Sequence, residues 1–460
     1  MNWIENHFVP FAAKLGSQRH LAAIRDGFVA FMPLMIAGAF AVLLNNFVLG
    51  GAPVEGEAIT FGLYQFFQDS SIGEWILKLK DINGNVWFGT IAITAVFLPI
   101  AVSYNLAKSR EKDGLAAALI AVASFVIILP QAASVGLPPE LLEAATGAGL
   151  GETLSAWGFI PVASLGATGM FAALFVSLTA TELFCWLTGN KALEIRMPDT
   201  VPPAVSRSFA SLLPGIITLF VFAIAQFAVV QATGSGIPEL IFTFIQEPIS
   251  FVAQGASGLA FALIYVFFVH VLWFLGLHGP NILAGVADPI YLPALVANID
   301  AIQAGAEATN IFTKSFFDAF VFLGGSGATL PLLIAIFVAS KREDYRTIAK
   351  LSIAPGVFQI NEPVMFGMPI VLNPTLLIPF VVVPLVLTVI SWAAMAFGLV
   401  PMTQAIIPWI TPPVLSGLLV TGSFMGALLG LVNLVVAFLI YYPFVIAANK
   451  EVALEQESAK

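Results

Sequence analysis

From Leu351 to Asn449 the chain runs 99 residues without a Lys, Arg, Asp or His, and Glu362 is its only acid. Soluble domains carry about 25% charged residues, so a stretch this long with one carboxylate belongs in hydrocarbon rather than water. The remainder agrees: of 460 residues 59% are hydrophobic and 10% charged, and the mean hydropathy is +0.96. The apolar runs reach the ~20 residues that a helix needs to cross a bilayer. They are rich in Leu, Ala, Ile and Gly and lack the alternating ~10-residue pattern of outer-membrane strands. The expectation is an all-α, polytopic membrane protein.

Spans are expected near 27–48, 86–106, 114–134, 159–188, 208–231, 250–275, 281–299, 319–340, 375–399 and 418–446, about ten in all. Lys and Arg fall in packets at 108–112, 191–207, 341–350 and 450, and none lies in the 106 residues between Arg207 and Lys314. Cytoplasmic loops carry such packets. Ten crossings with both termini in the cytoplasm put them all inside, and put the acidic or neutral loops 51–80, 135–157 and 232–248 outside. Lys78 and Lys80 are outside this rule, in a loop that also holds Glu55, Glu57, Asp69, Glu74 and Asp81. Residues 1–26 read as an amphipathic cytoplasmic segment and 450–460 as a polar cytoplasmic tail. The apolar run Gly27–Leu49 exceeds the 7–15 residues of a signal-peptide core. The single cysteine, Cys185, excludes an internal disulfide; in an apolar run it reads as a small buried hydrophobe. No Cys/His cluster suggests a metal.

Two stretches resist regular spans. Between 276 and 318, Pro280, Pro289 and Pro293 interrupt the pattern, and between 351 and 373 come Pro355, Pro363 and Pro369, with Pro374 just beyond. Backbone freed by proline at membrane depth must be buried in protein or line a wet cavity, and broken helices of this kind are where transporters build substrate sites. Glu362 lies in the second, in FQINEPVMFGMP, beside Asn361 and near Gln359. A lone intramembrane carboxylate costs about 2.5–3.5 kcal/mol on insertion scales, which favours a ligand or proton site over a helix-end acid facing the cytosol. In the first stretch, GLHGPN sets His278 on a helix break, followed by Asn281; His270, inside the preceding apolar run, reads as a core histidine. KSFFDAF puts Lys314 and Asp318 on one helix face, where they can pair with each other or meet a substrate. GGSGATL at 324–330 has no GxxxxGK[ST] and reads as close helix packing. Trp409 in IIPWITPP is either an interfacial anchor or a flat surface for a sugar. A carboxylate, an imidazole, amides and an indole suit a neutral polyol.

The segments RMPDTVPPAVSRSFASLLPG (196–215), LWFLGLHG (272–279), FLGGSGATLPLLIAIFVASKREDYR (322–346), FQINEPVMFGMPIVLNP (358–374) and PWITPP (408–413) together resemble one family. It is the membrane subunit, enzyme IIC, of the bacterial phosphoenolpyruvate-dependent phosphotransferase system, in its lactose/cellobiose/diacetylchitobiose branch. The resemblance spans nearly the whole chain. It implies ten transmembrane helices plus two re-entrant hairpins, near 300–318 and 351–373, in a homodimer that works as an elevator in the bacterial cytoplasmic membrane. Residues 27–231 would form the scaffold and dimer half, and 232–449 the half that carries sugar. It implies His278, Glu362, Asn361 and Trp409 as sugar-binding residues; Asn281, Gln359, Lys314 and Asp318 join them as candidates on their positions. The substrate would be a disaccharide, N,N'-diacetylchitobiose or cellobiose before lactose, phosphorylated on its 6-hydroxyl by a separate cytosolic phosphocysteine subunit, enzyme IIB. Glu362 would act as base or would position that hydroxyl. Cys185 in its apolar run suits a chain that borrows its phosphoryl carrier, since a carrier needs an exposed thiolate. Lipid is the other expected partner; no cofactor and no nucleic acid are expected. Two alternatives are a proton-coupled sugar transporter with Glu362 as proton carrier and, more remotely, an intramembrane serine protease built on GASG (255–258) or GGSG (324–327) with His270 or His278.

Overall fold

The computed structural model describes residues 14, 17–50, 62–136, 153–195, 197–198, 200–368, 370 and 374–458. Most of the expected N-terminal segment, parts of the 51–80 and 135–157 loops, Arg196, Pro369 and the end of the tail lie outside the described residues. In chain order the principal elements are α1 (Arg19–Leu43), α2 (Ser71–Phe88), α3 (Thr94–Ser109), α4 (Gly114–Ile128), β1 (Ala132–Gly136), β2 (Thr153–Trp157), α5 (Met170–Thr188) and α6 (Leu212–Thr233). They continue with α7 (Glu247–Gln254), α8 (Gly258–Phe274), α9 (Gly279–Gln303), α10 (Lys314–Phe320), α11 (Thr329–Ala339), α12 (Glu343–Val357), α13 (Glu362–Gly367), α14 (Pro374–Ala396), α15 (Leu415–Thr421) and α16 (Phe424–Ser458).

The fold is mostly helical and multi-spanning, as expected. Among the described residues six helical stretches are long and apolar enough to cross a membrane, and α7–α8 adds a seventh if its broken pair counts as one span. Several expected spans differ in their limits. The run 86–106 is divided between α2 and α3, 250–275 is interrupted at Gly255–Ser257, 319–340 is split between α10 and α11, and 418–446 is split at Gly422. The expected span 281–299 is present as α9, which continues through Pro289 and Pro293 although these interrupt the sequence pattern. One feature is not α at all: β1 and β2 pair antiparallel, Ala132 opposite Trp157.

The chain divides into two compact units. The smaller holds residues 26–31 and 92–248. There α3, α4 and α5 meet through small buried side chains, among them Ala107, Ala117, Ala121, Ala173 and Ala180, which let helices approach closely without a large hydrophobic drive. The Ser103 hydroxyl donates to the Ser177 carbonyl at 3.2 Å, Arg110 pairs with Glu182, and the Asp113 carboxylate caps α4 at Leu115 and Ala116. Cys185 is buried there with a free thiol, as read. On α6, Phe220, Ile224 and Phe227 are more than 60% exposed. That apolar stripe at helical spacing is a surface made for hydrocarbon.

The larger unit holds the described residues of 1–25, 32–91 and 249–460. Its core centres on α10, where Phe317 meets Tyr291 at 4.8 Å and Tyr265 at 5.0 Å between ring centroids. The loop 304–313 is irregular yet fastened by side chains that replace a sheet or helix ladder. Asn298 donates to the carbonyls of Asn310 (2.8 Å) and Thr403 (2.9 Å), and Gln254 accepts from the Phe312 N–H at 2.9 Å. Buried polar backbone tolerates nothing less. Arg346 donates to the Phe337 and Ser340 carbonyls and Asn449 to that of Ala339, closing the C-terminus of α11.

Candidate functional site

Three helix breaks in the larger unit come together. The first is the turn Phe322–Ala328, between α10 and α11. Its glycines 324, 325 and 327 have φ of +86°, +95° and +85°, a conformation in which a side chain is strained. The second is the break between α12 and α13, Phe358–Asn361. The third is the turn through Pro408–Val414 before α15. Gln359 ties the three: its amide donates to the Asp318 carbonyl at 3.1 Å and to Thr411 at 3.0 Å, and its oxygen accepts from the Gly324 N–H at 3.1 Å. Gln359 is 5% exposed and itself sits at φ +64°, a strained position for a non-glycine residue that only surrounding bonds sustain. Asn361, 4% exposed, donates to the Ser326 carbonyl at 2.8 Å. A Cβ on Gly325 would stand 2.7 Å from the Asn361 side chain, so the glycine is what admits the amide.

Pro363 near the N-terminus of α13 suits a first helical turn, whose N–H groups are unpaired in any case. Glu362 opens that turn, and its carboxylate lies 4.0 Å from His278 Nε2; the two side chains are 46% and 39% exposed. His278 is the N-cap of α9, with Pro280 in the first turn. Its Nδ1 accepts the Asn281 N–H at 3.2 Å. An accepting Nδ1 carries no proton in the neutral ring, so the proton is assigned to Nε2, the nitrogen that faces Glu362. The 4.0 Å separation is too long for a direct hydrogen bond. A hydroxyl oxygen about 2.8 Å from each atom fits beside the line joining them, accepting from Nε2–H and donating to the carboxylate.

Of the residues expected at the site, Glu362 and His278 face each other, while Asn361 and Gln359 are buried and bond to backbone. Asn281 contributes its main-chain N–H to His278, and its side chain is exposed. Trp409 is 49% exposed and stands two residues before Thr411, which Gln359 holds. Lys314 and Asp318 pair at 2.6 Å one helical turn apart, and the Asp318 carbonyl receives Gln359. Buried Asp288 interacts electrostatically with Lys314; it was not foreseen, because nine largely apolar residues separate it from His278. Trp273 was also missed as an individual residue, although LWFLGLHG contains it: its ring lies 4.5 Å from the His278 ring. His270 is fully buried against Phe322 and Phe380, its Nδ1 2.6 Å from the Val266 carbonyl. The Ser257 hydroxyl donates to Val252 rather than to a histidine, an arrangement unlike a protease's.

A multi-spanning helical protein whose broken helices enclose a carboxylate–imidazole gap and buried amides has the equipment of a permease for a hydroxylated solute. Residues 25–384 match the family described as Phosphotransferase system, EIIC, and the chain belongs to that family. It is a sugar permease of the phosphotransferase system, a multi-pass membrane protein of bacteria that works with an EIIB partner. It is 37% identical over 460 residues to the PTS system cellobiose-specific EIIC component of Geobacillus stearothermophilus, covering 99% of this chain and 95% of that protein. It is 35% identical over 443 residues to the Lichenan permease IIC component of Bacillus subtilis (strain 168), covering 96% and 92%. Its fold matches the crystal structure of the transporter ChbC, the IIC component from the N,N'-diacetylchitobiose-specific phosphotransferase system, with a TM-score of 0.87, 37% identity and 99% of both chains covered. Membership excludes the serine protease and the proton-coupled transporter as descriptions of the chain.

Proposed function

We propose that the permease binds a disaccharide, N,N'-diacetylchitobiose or cellobiose, with its 6-hydroxyl between Glu362 and His278, and presents that hydroxyl to phosphorylated enzyme IIB in the cytosol. The observation that carries this is the 4.0 Å gap between His278 Nε2 and the Glu362 carboxylate, with Nδ1 already engaged. In the transfer the 6-oxygen bonds to phosphorus, the phosphorus–sulfur bond of the partner's phosphocysteine breaks, and the thiolate leaves with the partner. The hydroxyl proton passes to Glu362. Fixing the hydroxyl supplies most of the help such a reaction receives. Asn361 and Gln359 keep the loop in register, and Trp409 offers its exposed ring to a sugar face. Lys314 and Asp318 contact the sugar farther along. The two resemblances to cellobiose- and diacetylchitobiose-specific proteins, each at 37% identity, favour these sugars over lactose.

The transport cycle proposed is that of an elevator in the bacterial cytoplasmic membrane. There are ten spans with both termini in the cytoplasm, two re-entrant hairpins near 300–318 and 351–373, a homodimer through the 27–231 half, and movement of the 232–449 half. Lipid surrounds the whole. Support comes from the basic packets and the helix breaks. Titration with cellobiose, N,N'-diacetylchitobiose and lactose tests the substrate. Vesicles given labelled sugar, with and without phosphorylated IIB, test the coupling: sugar phosphate should accumulate only with the partner. Accumulation of unmodified sugar that an uncoupler abolishes would refute it.

A further inference from the structure

We infer that Trp273 is a positioning residue for the sugar hydroxyl, its indole forming the wall that keeps the His278 imidazole aimed at Glu362. This rests on the role proposed above for the His278–Glu362 gap. Trp273 lies in the last turn of α8. Beyond it Gly276 takes φ +78° and the Leu277 N–H returns to the Leu272 carbonyl at 2.9 Å, so the chain folds back and lays His278 against Trp273. The two rings are 4.5 Å apart, tilted by 46°, and the same indole lies 6.3 Å from the ring of Phe366 on α13. One buried side chain thus touches both the turn that carries His278 and the short helix that carries Glu362.

The need for a wall follows from how His278 is otherwise held. Its main chain is closely packed, since the next residue, Gly279, lies so near the Val269 carbonyl that an added Cβ would collide with it. Its ring is 39% exposed and anchored by one 3.2 Å bond to the Asn281 N–H, at the long end of hydrogen-bond range. A ring on one long bond turns about its side-chain torsions unless something stops it, and χ2 of histidine has a broad well. Trp273 is 2% exposed and its indole N–H has no hydrogen-bond partner among the described residues. Packing against His278 and Phe366, not a hydrogen bond, is what this ring supplies.

A double-mutant cycle separates positioning from general packing. Purified Trp273→Leu and Trp273→Phe variants are titrated with cellobiose and with N,N'-diacetylchitobiose, alone and combined with His278→Gln. Trp273→Met is the second ring-free variant should leucine prevent folding. The expected result is a loss of about tenfold in affinity for Trp273→Leu, and a Trp273→Phe variant within about threefold of wild type. In the His278→Gln background the leucine change should then cost less than about twofold. Wild-type affinity in the ring-free variant, or an equal loss in both backgrounds, overturns the inference while leaving the site intact. Wild-type affinity in both His278→Gln and Glu362→Gln overturns the site itself.

Discussion

At the scale of single residues, the site depends on which groups are left free to meet a ligand. Gln359 spends both ends of its amide on backbone and Asn361 spends its NH₂ on Ser326, whereas Glu362 faces His278 across a gap. Glu362→Gln preserves shape and removes the charge. A hydrogen bond to a charged group contributes roughly 1.5–3 kcal/mol, so sugar affinity should fall about 10- to 150-fold. If Glu362 also takes the proton, the rate of sugar-phosphate formation at saturating sugar falls further; calorimetry and a single-turnover assay with phosphorylated IIB divide the two roles. Asn361→Asp should act differently. It sets a carboxylate where a donor meets the Ser326 carbonyl at 2.8 Å, which costs about 1–3 kcal/mol for the unsatisfied group. The melting temperature should drop along with binding, while Glu362→Gln should leave it near the wild-type value.

Elements position these residues through their breaks more than through their regular parts. Gly327 illustrates this: at φ +85° its added Cβ would enter the ring of Phe380. Gly327→Ala combines left-handed strain of about 1–2 kcal/mol with overpacking of about 1–3 kcal/mol. It should lower the melting temperature by several degrees, where Gly84→Ala, with nothing within 4 Å, should not. The breaks were only partly legible in the sequence. Around Glu362 and His278 the prolines and glycines mark chain that cannot continue as helix, and the structure breaks there. At 324–327 the same glycines were taken for close helix packing inside a span, because a Gly-rich run serves either purpose until its partner is known; the partner is Asn361, 36 residues after Gly325. In α9 the prolines made the expected span 281–299 look irregular, and the helix runs through them. Pro289 and Pro293 remove the N–H groups that would otherwise bond the Gly285 and Pro289 carbonyls, yet the helix persists. Membrane helices tolerate proline where their surroundings and local adjustment re-satisfy the freed backbone groups, and nothing local in the sequence announces it. The pairing of β1 with β2 was invisible for the same reason: its partners are 17 to 25 residues apart in weakly patterned sequence.

At the scale of the whole molecule, the distribution of charge is what supports the proposed topology. Four basic side chains, Lys341, Arg342, Arg346 and Lys350, crowd the connection from α11 into α12, the pattern that cytoplasmic loops carry and that the proposed topology follows. Lys78 and Lys80 do not oppose the assignment. Lys78 lies over the Trp75 ring at 4.7 Å, Lys80 donates to the Gly50 carbonyl at 2.7 Å, and the same helix carries Glu74 and Asp81. The proposed ten crossings with both termini inside would place Glu74 and Lys341 on opposite sides. Cys185 is buried, and removing it as Cys185→Ser gives a cysteine-free background for single cysteines at these two exposed positions. A membrane-impermeant maleimide should label Glu74→Cys in intact cells and Lys341→Cys in inverted vesicles, each without the other. Labelling of both from one side would remove a crossing from the count and, with it, the cytoplasmic approach of IIB to a hydroxyl held between Glu362 and His278.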